Sequence, residues 1–121
     1  MARRQIAATI ECDPKEIVFT SGGTEANNLA LLGAGRARVL VSSVEHSSVL
    51  QAAPDAERIP VDSDGRVDPA ALAAALAADT TTRGWPALVS VMLANNETGV
   101  LQPVAEIADI AHAHGALFHC D

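Results

Sequence analysis

Strand-like and helix-like segments alternate along these 121 residues with short connections, and that alternation predicts an α/β domain with a mostly parallel sheet flanked by helices. Apolar β-type runs stand at residues 17–20, 39–42, 58–61, 88–93 and 116–119. Helical patterns stand at 24–32, 47–53, 69–78 and 104–114. Polar residues follow the strands at 21–24, 45–46, 95–97 and 121. Ligands of parallel sheets collect there, beyond the carboxyl ends of the strands. Loops are also polar for their own sake, so that pattern alone leaves both readings open.

Each element has a local reason. Residues 3–11 read as the tail of a helix. Ile17, Val18 and Phe19 give β character that breaks at Ser21-Gly22-Gly23, and a helical pattern restarts at Thr24. The run 62–65, DSDG, is a turn by composition. Asp68 then offers an N-cap with Pro69 at the first helical position, and alanine-rich 70–78 has high helix propensity. Pro103 is expected to open the next helix in the same way, with Gly115 ending it.

Composition narrows the function. Hydrophobic residues make up 49% and aromatics 2%, so the core is built from Ala, Val, Leu and Ile. A formal net charge of −7 argues against a nucleic-acid surface, which needs a basic patch. No apolar run has the length of a membrane span. Cys12 and Cys120 make no disulfide framework and read as reduced, buried or half-buried residues of a cytoplasmic protein. Lys15 is the only lysine. Neither GxGxxG nor GxxxxGK[ST] occurs, so the dinucleotide and P-loop fingerprints are missing. His112, His114, His119 and Cys120 are poorly spaced for a metal, because neighbours on a helix or strand point apart.

Four places carry candidate chemistry. Two glycines at 22–23 let the backbone turn tightly and approach a ligand, and a following helix N-terminus with the Thr24 hydroxyl suits a phosphate. An ordinary strand-to-helix turn favours the same residues. His46 offers stacking or proton transfer, against the common structural histidine. The amides of NNETG, 95–99, suit a ligand oxygen or simply a polar turn closed by Gly99. Asp121, at a strand's carboxyl end, suits a protonated heteroaromatic nitrogen or is a frayed terminus.

In order, the blocks DPKEIVFTSGGTEANN, VEHSSV, VDSDGRVDPAAL, ANNETGVLQPV and GALFHCD resemble the cysteine desulfurases, in the class V aminotransferase branch of the fold-type I pyridoxal-phosphate enzymes. The resemblance covers essentially all of residues 1–121, and NNETG with EHSSV favours desulfurases within the class. It implies part of a fold-type I large domain, lacking an N-terminal segment, the downstream lysine region and the C-terminal small domain. It implies pyridoxal 5'-phosphate as cofactor, with Gly23 and Thr24 on its phosphate and His46 stacked on its ring with a part in proton transfer. Asn96 would bond the phenolic oxygen, and Asp121 would pair with the ring nitrogen.

The implied reaction converts L-cysteine to alanine and an enzyme persulfide, for iron–sulfur cluster assembly or thiolation. The implied partners are a sulfur acceptor or scaffold protein and a second copy of the chain in a homodimer. Lys15 matches no Schiff-base position, and neither Cys12 nor Cys120 matches the catalytic cysteine, so the isolated 121 residues are expected to be inactive. The alternatives are another class V aminotransferase or lyase, and a non-catalytic α/β binding module.

Overall fold

The computed structural model describes residues 1–78 and 86–121. Five α-helices and four strands follow in the order α1 (Ala2–Thr9), α2 (Gly23–Gly33), β1 (Val39–Ser42), α3 (Ser47–Ala52), β2 (Glu57–Ile59), α4 (Pro69–Ala77), β3 (Leu88–Ser90), α5 (Val104–Ala113) and β4 (Leu117–His119), with a 3-10 turn at Pro14–Glu16. All the strand pairs are parallel, in the spatial order β2-β1-β3-β4. The mostly parallel sheet read from the alternation is therefore present.

Both faces of the sheet are covered. Successive side chains of a strand point to opposite faces, so β1 sends Leu40 one way and Val41 the other. Leu40 and Val89 pack with Leu72 and Leu76 of α4 and Ile107 and Ala111 of α5. Val41 and Leu88 pack on the opposite side with Leu31 of α2 and Val49 of α3. The buried pairs Leu72/Leu76 and Ile107/Ala111 are four residues apart, which sets them on one helix face.

The capping chemistry follows the residues. Asp68 accepts the Ala70 N–H at 2.9 Å, with Pro69 at the first helical position. At the end of α5, Gly115 has φ +71°, and the Gly115 and Ala116 N–H groups return to the carbonyls of His112 and Ala111. Pro103 differs from expectation: it lies one position before α5 and provides no side-chain cap. In the 62–65 turn, Asp62 donates its N–H to Arg66 O, and Val61 pairs antiparallel with Val67.

Three strand expectations change. Residues 17–20 form no strand; they run extended between the 3-10 turn and α2, with Val18 63% and Phe19 56% exposed. β propensity reflects packing against neighbouring strands, and this segment pairs with none of them. The ring of Phe19 instead lies 5.6 Å from the Arg3 guanidinium of α1. The run 88–93 is strand only to Ser90; on the side of β1, which has ended, the Met92 N–H goes to the Glu45 carboxylate at 2.8 Å. β2 ends at Ile59, and Pro60 has no N–H with which to extend it.

Arg38, 4% exposed just before β1, holds the start of the sheet together. Its Nε and Nη2 donate to Glu57 of β2 at 2.8 and 3.1 Å, a two-pronged match to the carboxylate. Glu57, 27% exposed, is the solvent-facing half of the pair. Glu57→Ala removes two charge-assisted hydrogen bonds and is expected to lower unfolding free energy by about 2 kcal/mol in urea titrations, and an unchanged stability would contradict that role.

Candidate functional site

The loops that leave the carboxyl ends of β1, β3 and β4 meet the start of α2 at one end of the sheet. A cavity of about 300 Å³ there is lined by Gly23, Thr24, Asn27, His46, Ser48 and Asp121. A second, of about 390 Å³, is lined by residues 43–47 and 95–98, including Glu45, His46 and Asn96. His46 lines both. Four of the residues singled out from sequence, Gly23, Thr24, His46 and Asp121, thus share one cavity, and Asn96 lies in the neighbouring one.

Each is placed by backbone chemistry. The first turn of α2 has no side-chain cap, which leaves its amide end open. Ser21 donates instead to Glu25 Oε2 through both N–H (2.7 Å) and hydroxyl (2.6 Å), which holds the Glu25 carboxyl below its usual range. A Cβ built on Gly22 or Gly23 would meet nothing within 4 Å. Packing within these residues does not demand glycine at either position, and the space beside them is open to a ligand.

Asp121 is fixed through its backbone. The β3–β4 pairing continues past both strands, with the Val91 N–H donating to His119 O and the Leu93 N–H to Asp121 O, each at 3.0 Å. Ser90 Oγ and His119 Nδ1, opposite each other in the register, lie 2.8 Å apart. Burial lowers the pKa of His119 and the Asp121 charge partly opposes it.

The two asparagines of NNETG divide their tasks. Asn95 is committed to the loop: its Nδ2 donates to Val44 O at 3.1 Å, and its Oδ1 accepts the N–H groups of Glu97 and Thr98 at 2.9 Å each. Asn96 is exposed, and its amide is the one left on the cavity side of the turn for a ligand. The polar turn closed by Gly99 (φ +76°) is present, with Asn95 shaping it.

Two buried polar side chains at the site were not singled out from sequence, and a third was noted there only as a polar residue following a strand. Asn27 and Ser48, 3% and 6% exposed, sit behind His46 and hydrogen-bond each other at 2.9 Å. Asn27 lies three residues after Thr24, a helical spacing that puts both on one face. The third is Glu45, 6% exposed. Its Oε1 accepts from Ser42 Oγ at 2.6 Å and from the Met92 N–H at 2.8 Å, tying the loop after β1 to the segment after β3. Burial, countered in part by those two bonds and reinforced by the Asp121 charge, raises its pKa.

The cysteines are free, as expected, but Cys120 is exposed and not half-buried, because it follows the last residue of β4. Desolvation and the nearby Glu45 and Asp121 push its thiol up, which disfavours a thiolate. Lys15, paired with Asp13 at 3.8 Å, is in the 3-10 turn and lines neither cavity. Among the described residues, no group of His, Cys, Asp and Glu is arranged to hold a metal ion.

The chain is an α/β domain with a parallel sheet whose polar loops gather over the strand ends, where such domains bind their ligands. Residues 1–121 match the aminotransferase class-V family, and the chain belongs to it. It is 44% identical to a cysteine desulfurase IscS of Anaeromyxobacter sp. (strain Fw109-5), over 99% of this chain and 31% of that protein. It is 41% identical to a putative cysteine desulfurase IscS 1 of Bacillus subtilis (strain 168), over 99% of this chain and 34% of that protein. The structure of a NifS-like protein from Rickettsia africae is similar at a TM-score of 0.85 and 36% identity, covering 99% of this chain and 34% of that one. The chain spans about a third of the length of the curated relatives it matches. A family match along the whole chain disfavours a free-standing binding module.

The electrostatics of Glu45 give a pH signature. Its folded pKa is raised above the ordinary value of 4.5, so folding favours its protonated form. The stability it contributes is complete below that ordinary value and is lost as pH rises through the raised one. Glu45→Gln keeps an acceptor for Ser42 and Met92 but cannot ionise. The variant is expected to gain stability relative to wild type as pH rises through that window, read from urea midpoints across pH. Parallel pH curves would contradict a buried, ionisable Glu45.

Proposed function

We propose that residues 1–121 form the phosphate-binding and ring-binding side of a pyridoxal 5'-phosphate site in a cysteine desulfurase. The observation that carries this reading is the gathering of Gly23, Thr24, His46 and Asp121 on one cavity. These residue types fit the cofactor: an uncapped helix start with open space beside two glycines for its phosphate, and a carboxylate for its ring nitrogen. When bound, pyridoxal phosphate supplies an electron sink for breaking bonds at an amino acid's α and β carbons.

The chain's own residues then have distinct tasks. The Gly23 and Thr24 N–H groups and the Thr24 hydroxyl would hold the phosphate. Asp121 would pair with the protonated pyridine nitrogen, His46 would stack on the ring with a part in proton transfer, and Asn96 would bond the phenolic oxygen. Lys15 lies away from both cavities, so another part of the polypeptide supplies the Schiff-base lysine, and another the sulfur-accepting cysteine.

The substrate is L-cysteine, and the product sulfur passes as a persulfide to an acceptor protein for iron–sulfur or thiolation chemistry. The working enzyme is a cytoplasmic homodimer. Relatives named cysteine desulfurase support this substrate over that of another class V aminotransferase or lyase.

Asp121→Ala and Thr24→Ala in the complete polypeptide separate the tasks. Asp121→Ala is expected to lower kcat about 100-fold while the protein retains its cofactor, as a lost hydrogen bond to a charged group would. Thr24→Ala is expected to weaken pyridoxal-phosphate retention roughly tenfold with a smaller effect on kcat at saturating cofactor. Alanine release and cofactor absorbance measure both. Full activity in the Asp121 variant would overturn that residue's assignment.

A further inference from the structure

Glu45 and Asp121 approach the segment after β3 from its two sides. The register that sets Ser90 opposite His119, carried two residues on, sets Asp121 opposite Met92. On that side the Leu93 N–H donates to Asp121 O at 3.0 Å, and on the other the Met92 N–H donates to Glu45 Oε1 at 2.8 Å. Neighbouring strands lie only about 4.8 Å apart, so adjacent amides of one segment hold two acidic residues close together. Their surroundings differ. Asp121 is exposed, whereas Glu45 is buried. Glu45 Oε1 takes both available donors, the Ser42 hydroxyl and the Met92 N–H, and Oε2 is buried with no hydrogen-bond partner among the described residues. No lysine or arginine pairs with Glu45 among those residues. The titratable groups around it are Cys120 and Asp121 after β4, His119 at the end of β4, Glu97 on the same cavity and His46 next in the chain. Burial disfavours the charged form of His119, so that ring supplies no compensating cation. A buried carboxylate with one bare oxygen costs more than the neutral acid. With both lone pairs of Oε1 engaged, the proton of that acid belongs on Oε2.

We propose that Glu45 is a positioning residue coupled to Asp121: it keeps a proton on Oε2 while Asp121 is unpaired, and releases that proton to solvent when a cationic ring nitrogen pairs with Asp121. The Asp121 charge opposes a second negative charge on Glu45. A cation seated on Asp121 cancels that opposition, so Glu45 ionises more readily. Only the Oε2–H bond breaks, its electron pair stays on the carboxylate, and the proton passes to the buffer. The coupling is reciprocal, so an ionised Glu45 adds a second negative charge near the ring nitrogen and strengthens the hold on it. Glu45 thus acts through Asp121, as a reserve of charge that appears only once the first carboxylate is paired. The inference rests on the reading of Asp121 as the partner of a ring nitrogen, while the coupling of the two carboxyls is independent of any cofactor.

The test is a 13C NMR titration of the Glu45 side-chain carboxyl in the complete polypeptide. Without cofactor its midpoint is expected above the ordinary 4.5. Asp121→Asn, which removes the neighbouring charge, is expected to move the midpoint down. Loading wild type with pyridoxal phosphate should do the same. The analogue with a carbon in place of the ring nitrogen brings the same phosphate but no ring cation, and should leave the midpoint up. A Glu45 midpoint at or below 4.5 without cofactor, or one that Asp121→Asn leaves unmoved, would overturn the proposal. Equal midpoints with the two cofactors would overturn the release on pairing. If Asp121→Asn does not fold, the comparison of the two cofactors decides. Failure to bind either cofactor would count against the proposed function, and Asp121→Asn would then decide the coupling of the carboxyls.

Discussion

The pairing of β1 with β3 is the constraint on which the rest of this molecule depends. Residues 39–41 lie in parallel register with 88–90, although more than a third of the chain separates them in sequence. Parallel neighbours cannot be joined by a tight turn, so the intervening chain must cross over a face of the sheet and return. That return carries β2 and α4 into place. It also sets the loop after β1 beside the segment after β3, where Glu45 accepts the Met92 N–H and Asn95 donates to Val44 O. Without this register, the histidine loop and the asparagine loop would not border the same cavities.

The second determinant is that the site is assembled from groups whose own hydrogen bonds are already spent on position. Asp121 is anchored by its carbonyl and its carboxylate lines the cavity. Asn95 uses its amide to shape the loop, while Asn96 lines the neighbouring cavity. His46 gives Nδ1 to its helix and retains Nε2. In each case the placing is done by backbone contacts or by a neighbour. Fixing a side chain this way before a ligand arrives lowers the entropic cost of binding it. Glu45 is the exception: its buried carboxyl binds two loops together at the expense of desolvation, a cost that falls on its ionised form.

Much of this arrangement is legible in the residues themselves. Alternation of apolar runs with helical periods reveals a parallel sheet because crossover helices must cover its faces. Asp68-Pro69 and Gly115 mark helix ends through local chemistry that does not depend on the rest of the fold. The run 17–20 misled for a physical reason. Ile, Val and Phe favour an extended backbone, but a strand also needs a partner, and a local pattern contains no information about one. Asn27 and Ser48 were opaque for a related reason. Each is an ordinary polar residue in its own helix, and only the packing of α2 on α3 makes them a hydrogen-bonded pair beneath His46.

By itself the sequence determined the α/β class, the helix ends at Asp68-Pro69 and Gly115, the glycine turn before α2 and the polar residues that follow the strands. These follow from periods, propensities and functional groups, which act over a few residues. Only the tertiary structure decided which loops meet, that Asn95 holds the turn while Asn96 faces the cavity, and that Glu45 is buried. Those outcomes depend on distances between residues far apart in the chain, and hydrogen bonds and desolvation act only once packing has brought such groups within reach.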